Sequence, residues 1–308
     1  MISYVARRLV YMIVALFVII SITFFISKLL PGTPFADDKL TPQTRQQLFE
    51  KYGLDEPLYV QYAKYMLNVA HGDLGNSFYY ESQPVTKIIL ERLPVSMFIG
   101  VQAVLFGLVV GLVLGIVAAL RHNTFWDTAA VAVAVLGVSV PTFVLGPILQ
   151  YWLGLKLGLF PIALFESWMH SVLPSLALSV FVISTVARFI RSEMLEVMGQ
   201  DYITLARAKG LSGLAVVVRH VLRNSLIPLV TVLAPLTIYL ITGTLVVEQI
   251  FAVPGIGDQF VESVIVSDYT VILGTTIFFS VLFMLALLLQ DILYGIIDPR
   301  IRVSGAKE

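Results

Sequence analysis

Few of the side chains in this sequence have the types and spacing that catalysis needs. It holds no cysteine, which excludes disulfides, iron–sulfur ligation and thiol catalysis. No Gly-x-x-x-x-Gly-Lys-Ser/Thr loop occurs, so the chain has no phosphate cradle and no ATPase activity of its own. His71, His122, His170 and His220 fall on different loops and on both sides of the apolar runs, whereas a metal site needs converging ligands. Asp291 and Asp298 read as caps or ion-pair partners, and no activated nucleophile or carboxylate pair of a hydrolase is visible. The segment from Arg188 to Arg223 offers a different chemistry, that of a positioned helix end. Gly199 ends one helix there, Asp201 is the expected N-cap of a short helix over Tyr202–Lys209, and Gly210 is its left-handed C-cap. Arg207 and Lys209 fall where the helix dipole favours cations.

The elements that must position this helix are set by the bilayer. Of 308 residues, 58% are hydrophobic and 13% charged, about half the charge of a soluble domain. Formal net charge is zero, so no global field points to nucleic acid. Six charge-free stretches are long enough to span the hydrocarbon: Leu9–Ser27, Leu93–Leu120, Thr128–Leu155, Ser167–Ala187, Asn224–Val247 and Tyr269–Gln290. Within lipid every backbone amide must be paired inside its own segment, so these runs are helices and the fold is all-α. The first run is longer than a cleavable signal core and lacks a small-x-small site after it, and is expected as a retained span.

Lys and Arg set the orientation. Arg7, Arg8, Arg121, Arg188, Arg191, Arg207, Lys209, Arg219, Arg223, Arg300, Arg302 and Lys307 share one side, while the opposite short loops hold Lys156 and the acids Glu248, Asp258, Glu262 and Asp268. Both termini are therefore expected in the cytoplasm. The divisions are 1–30 for the first span, 31–92 for an outer insertion, 93–297 for the remaining spans with the inner loop 191–228, and 298–308 for a tail. In the insertion, Gly53–Pro57 marks a turn, Tyr59–Val69 has helical apolar spacing, and His71–Gly75 breaks again. Gly107, Gly111 and Gly115 repeat every fourth residue, the spacing of close helix packing. Pro141, Pro147, Pro174 and Pro235 are expected as local kinks.

Asp201-Tyr-Ile-Thr-Leu-Ala-Arg-Ala-Lys-Gly-Leu-Ser212 and Arg219-His-Val-Leu-Arg-Asn-Ser-Leu-Ile-Pro228 resemble the EAA loop of ABC importer permeases in its peptide-permease form. The general family pattern is Glu-Ala-Ala, three residues, Gly, nine residues, Ile-x-Leu-Pro. Thr204, Leu205 and Ala206 stand at its first three places, Gly210 at the glycine, His220 at the isoleucine, Leu222 at the leucine and Arg223 at the proline. The departures match the peptide-type variant, whose proline comes later, at Pro228, and no glutamate role carries over. Leu30-Pro-Gly-Thr-Pro34, Tyr52-Gly-Leu-Asp-Glu-Pro57, Gly72-Asp-Leu-Gly-Asn-Ser77, Glu91-Arg-Leu-Pro94, Val247–Gly257 and Asp298-Pro-Arg-Ile-Arg302 are similar to further blocks of the same family, in order.

The resemblance implies a type I ABC importer permease of the dipeptide, oligopeptide or nickel group, most like the B-type oligopeptide subunit. It implies a homologous second permease, two ABC ATPase subunits that use ATP and Mg, an extracytoplasmic peptide-binding protein and residence in the bacterial plasma membrane. The chain itself would bind no cofactor. By that resemblance Asp201, Tyr202, Thr204, Leu205, Ala206, Arg207, Ala208, Lys209, Gly210, Leu211, Arg219, His220 and Arg223 couple the chain to an ATPase. Peptides are the expected substrate, with nickel or another small solute as the alternative. An ion-coupled carrier would need ionisable groups inside the spans, and the six runs hold none. A channel or scaffold would give no reason for the capped basic loop.

Overall fold

Apolar runs in a solvent that offers no hydrogen bonds satisfy their amides internally, and the computed structural model of the chain is built from helices accordingly. It describes residues 2–29, 42–80, 82–242 and 244–297. The turn at 30–34 and the block at 298–302 lie outside them. Among the described residues no strand forms, only a single bridge between Asn76 and Pro84.

The helices are α1 (Ile2–Ser27), α2 (Pro42–Lys51), α3 (Leu58–Ala70), α4 (Val85–Leu120), α5 (Phe125–Ser139), α6 (Thr142–Leu149), α7 (Val172–Met198), α8 (Asp201–Ala208), α9 (Gly213–Val216), α10 (Arg223–Ile241), α11 (Leu245–Phe251), α12 (Ile256–Ile265) and α13 (Tyr269–Ile297). A π-helical segment, Gln150–Lys156, extends α6, and another, Val217–Leu222, joins α9 to α10. Among the described residues, five continuous stretches are long and apolar enough to cross a membrane: Arg7–Ser27, Val85–Leu120, Trp168–Met198, Gly213–Ile241 and Tyr269–Leu293. Much of their apolar surface faces outward, as lipid requires; Ile13 is 67% exposed.

The expected third span departs from a straight helix. Phe125–Ser139 and Thr142–Lys156 meet at 102°, so six spans are reached only by taking this bent pair as one. Pro141 causes the break: it has no N–H to continue the ladder, and it pushes Val140 into extended conformation (φ −87°, ψ 116°). The expected local kink is here a complete interruption. Pro147 and Pro235, by contrast, stay inside continuous helices. The fifth span also shifts, because its helix starts at Gly213 and ends at Ile241, leaving 245–247 to α11.

Close packing of α4 on α7 forms the centre of the bundle. A Cβ on Gly107 would lie 2.5 Å from Val182 Cβ, one on Gly111 2.8 Å from Val186 Cβ, and one on Gly115 2.7 Å from the Ala187 carbonyl oxygen. Both series ascend together, so the two helices run parallel. Absent side chains let the backbones approach, which supplies the dispersion contact that replaces hydrophobic drive between helices in lipid. Ile99, Ala103, Leu173, Val182, Val186, Ile190 and Leu229 fill the buried cluster around this seam.

The outer insertion is tied down at two points. Helix α3 follows the expected spacing and lies against the end of α1, with Tyr62 and Ser21 hydroxyls 2.7 Å apart and Lys28 Nζ donating to Gln61 Oε1 at 2.7 Å. Asp268, fully buried at the head of α13, accepts the Ser77 hydroxyl, the Phe78 and Tyr79 N–H groups, and the Val271 N–H of its own helix. At the opposite end of the bundle Arg8 and Asp291 form an ion pair of 2.6 Å without hydrogen-bond geometry, so Asp291 takes the ion-pair role.

Candidate coupling site

An eight-residue helix is too short to persist alone, so α8 owes its shape to its ends and its underside. Its N-cap is Gln200 in extended conformation (φ −78°, ψ 147°), not Asp201. Asp201 instead takes the first helical position, where its carboxylate faces the positive end of the dipole without a side-chain cap bond. At the other end Gly210 has φ +80°, its N–H donates to the Arg207 carbonyl at 2.9 Å, and the Leu211 N–H donates to the Ala206 carbonyl at 3.4 Å. This crossed pair is a Schellman motif with glycine at its left-handed position. Leu211 then packs on the central core, the hydrophobic contact that accompanies such caps.

The underside of α8 is Ile203 and Ala206, both buried in the same cluster as Ile190 and Met194 of α7 and Val216 and Val221 of the following segment. Asp201, Tyr202, Thr204, Leu205, Arg207, Ala208, Lys209 and Gly210 are exposed; Tyr202 is 43% and Leu205 56% accessible. Ala206 therefore anchors the helix from below, while the other residues of the expected coupling set on α8 face outward. Arg219 and Arg223 are exposed, and His220 is half-buried in the π-helical segment. The Asn224 side-chain amide donates to the Tyr202 hydroxyl at 3.2 Å and ties α8 to the start of α10. Ser212, capping α9 through the Ala215 N–H at 3.3 Å, is a further element that the sequence reading did not identify.

Two buried polar centres behind this surface also escaped the sequence reading. Asp127, in the first turn of α5, is gripped by Arg191 of α7 through Nε to Oδ1 at 2.6 Å and Nη2 to Oδ2 at 2.9 Å. Glu248, near the far end, is 3% exposed and accepts the Ser96 hydroxyl at 2.8 Å and the Asp258 N–H at 3.0 Å. Ser96 in turn accepts the Ile256 N–H at 2.9 Å. Two N–H groups that open α12 are thus capped from α11 and α4. Burial pushes the Glu248 carboxyl above its ordinary range, opposed by these donors. Gly255 and Gly257 make the room, since a Cβ at either would fall 2.3 and 2.9 Å from Glu248 Oε2. Their spacing behind a lone glutamate was the available signal.

A cavity of about 380 Å³ opens at the Pro141 break, walled by Gly137, Val138, Pro141, Phe181, Tyr239 and Val246 among others. Among the described residues no three His, Cys, Asp or Glu side chains gather as metal ligands. His122 contacts Asp127 and His170 contacts Ser167.

Apolar spans, a bent pair and buried polar locks at the span ends define a multi-pass helical membrane protein. Residues 111–303 match the model of the binding-protein-dependent transport system inner membrane component, and residues 1–100 match that of the corresponding N-terminal membrane component. The chain belongs to this family of binding-protein-dependent transport permeases. It is similar to the dipeptide transport system permease protein DppB of Lactococcus lactis subsp. cremoris, 45% identical over 98% of this chain and 100% of that one. DppB of Bacillus subtilis is 43% identical, covering 98% and 99%. The oligopeptide transport system permease protein OppB of Escherichia coli is 36% identical, covering 98% and 100%. Among solved structures, a chain of the MetNI methionine ABC transporter superposes with a TM-score of 0.54 at 16% identity, over 69% of this chain and 97% of that one. An amino acid ABC transporter solved with histidines gives 0.52 at 16%, over 70% and 94%. At that identity the superpositions establish the shared fold, that of the type I permease.

Proposed function

We propose that the chain is one permease subunit of an ATP-driven importer of peptides and forms half of the path through a bacterial plasma membrane. The observation that carries this reading is the end-to-end similarity to permeases named for dipeptide and oligopeptide transport. A homologous second permease completes the path, an extracytoplasmic binding protein delivers the peptide, and two ATPase subunits bind ATP and Mg and perform the hydrolysis. This chain is not itself catalytic and holds no cofactor.

In this reading α8 is the contact with an ATPase. Tyr202, Leu205 and Lys209 present an outward stripe, Thr204, Arg207 and Ala208 flank it, and Leu211, Arg219, His220 and Arg223 border it. Ile203 and Ala206 root the helix in the core of the spans, so a pull on the stripe moves α7 and α10 rather than a loose loop. Closure of the ATP-bound ATPases then rotates the bundle and alternates access to the path. Cells lacking this chain are expected to lose uptake of short peptides and to resist toxic peptide analogues while nickel accumulation stays normal. Lost nickel accumulation with intact peptide uptake contradicts the assignment.

A further inference from the structure

Helix α5 is fastened to α7 at both of its ends. At one end is Asp127, 4% exposed, with both carboxylate oxygens held by the Arg191 guanidinium at 2.6 and 2.9 Å. The Asn123 N–H donates to Oδ2 at 3.0 Å, and His122 Nδ1 lies 3.0 Å from the same oxygen. At the other end Gly137 meets α7 so closely that a Cβ there would lie 2.3 Å from Ser184 Oγ and 2.8 Å from Val180 Cγ1. As residue numbers rise along α5 they fall along α7, so the two helices run antiparallel as one strut. Arg191 stands seven residues before the end of α7 at Met198, and α8 begins at Asp201. The far end of α5 is the 102° break, with its cavity shared between Val138 and Pro141 on one side and Leu178 and Phe181 of α7 on the other.

We propose that the Asp127–Arg191 pair is the joint through which movement of α8 reaches the bend at Pro141, which makes both of them positioning residues for transport. The inference rests on reading α8 as the ATPase contact. A displaced α8 carries α7, because only Gly199 and Gln200 separate the two helices in the chain and both reach into one buried cluster. Helix α5 also packs along its middle through the buried Ala130 and Ala134, so apolar contacts hold it in the bundle while the Asp127 pair fixes its near end against sliding and rotation on α7. A bidentate guanidinium–carboxylate pair fixes direction as well as distance, and a lysine ammonium would fix distance alone. With the joint closed, the break in the helix between Phe125 and Lys156 lies at Pro141. The bend between α5 and α6 therefore takes up the motion, and the cavity beside it changes shape. The pair stays closed throughout the cycle.

The absence of cysteine from the chain makes the test direct. The full assembly, with its partner permease, ATPases and binding protein, is reconstituted in vesicles with Asp127→Cys and Arg191→Cys together, and trialanine uptake is measured beside ATP hydrolysis. The ATPases are expected to stay bound and to hydrolyse ATP while uptake falls about tenfold, the size of a lost network coupling. Bridging the two thiols with a short bifunctional methanethiosulfonate should restore uptake, and reduction should abolish it again. Arg191→Lys, which folds with the charge kept, should lose part of the uptake per ATP. Native uptake by the unbridged double variant overturns the joint, and so does a bridge that fails to restore transport, because the pair must then open. Release of the ATPases from the variant would place the pair in docking and equally overturn it. Failure of the unaltered assembly to move trialanine with ATP refutes the functional reading itself, and the joint with it.

Discussion

Gly210 stands at φ +80° with no atom within 4 Å of where a Cβ would be, so a side chain there meets backbone strain and no clash. The left-handed conformation costs a non-glycine residue about 1 kcal/mol, less for asparagine and more for a β-branched residue. Spans buried elsewhere tolerate that loss, so Gly210→Asn, Gly210→Ala and Gly210→Val should all reach the membrane at normal levels. Transport should decline in that order, with ATP hydrolysis persisting or ATPase docking lost. Gly213→Ala, at an open position without positive φ, is the control and should transport normally. Full transport by Gly210→Val would reduce the segment to a connector.

Glu248 is a second test at this scale. Burial raises its carboxyl, so the folded protein holds that proton more tightly than the unfolded chain does. Its contribution to stability is then present at low pH and lost as pH rises through the folded value. The melting temperature of the purified native protein, minus that of Glu248→Gln, should fall as pH rises above the ordinary carboxyl value of about 4.3. Glu248→Ala leaves the Asp258 N–H without its acceptor and should destabilise by about 1–3 kcal/mol at neutral pH. An unchanged difference across pH would show that the donors around Glu248 offset its burial in full. Gly210 was legible from the sequence because its signal is local: a glycine directly after a run with cations in its last turn. Asp127 and Arg191 were not, because 64 residues separate them and neither carries a local mark of the other.

At the scale of elements, the spacing of Gly107, Gly111 and Gly115 gave the close α4–α7 seam correctly, since period-four small residues define one helix face whatever the partner. Gly111→Leu should force α4 from α7 against Val186 and the Ile183 carbonyl, costing about 1–3 kcal/mol and lowering membrane abundance. Normal abundance and melting would show that this seam is loose. The Pro141 break was not legible as such. A proline inside a charge-free run is compatible with a mild kink when neighbours re-satisfy the backbone, and Pro147 and Pro235 behave that way. What distinguishes Pro141 is that its steric push leaves Val140 extended and opens a cavity beside it, whereas the residues before Pro147 and Pro235 remain helical. The end of α10 at Ile241 was likewise hidden, because apolar residues continue through Val247 into a different helix.

For the whole molecule, composition and run length fixed the class, because a chain 58% hydrophobic has no stable way to fold in water. The family followed from a motif whose glycine cap the structure contains at Gly210. Orientation rests on the Lys and Arg asymmetry alone, by which α8 is expected on the cytoplasmic side. On the proposed reading, this bundle converts hydrolysis by partner ATPases docked at α8 into peptide movement past the bend. The most direct measurement is trialanine accumulation in vesicles that hold the complete assembly, with ATP on the α8 side and loaded binding protein on the other. The account predicts accumulation that requires ATP and the binding protein together and is not competed by nickel. Accumulation independent of ATP, or transport of nickel in place of the peptide, would contradict it.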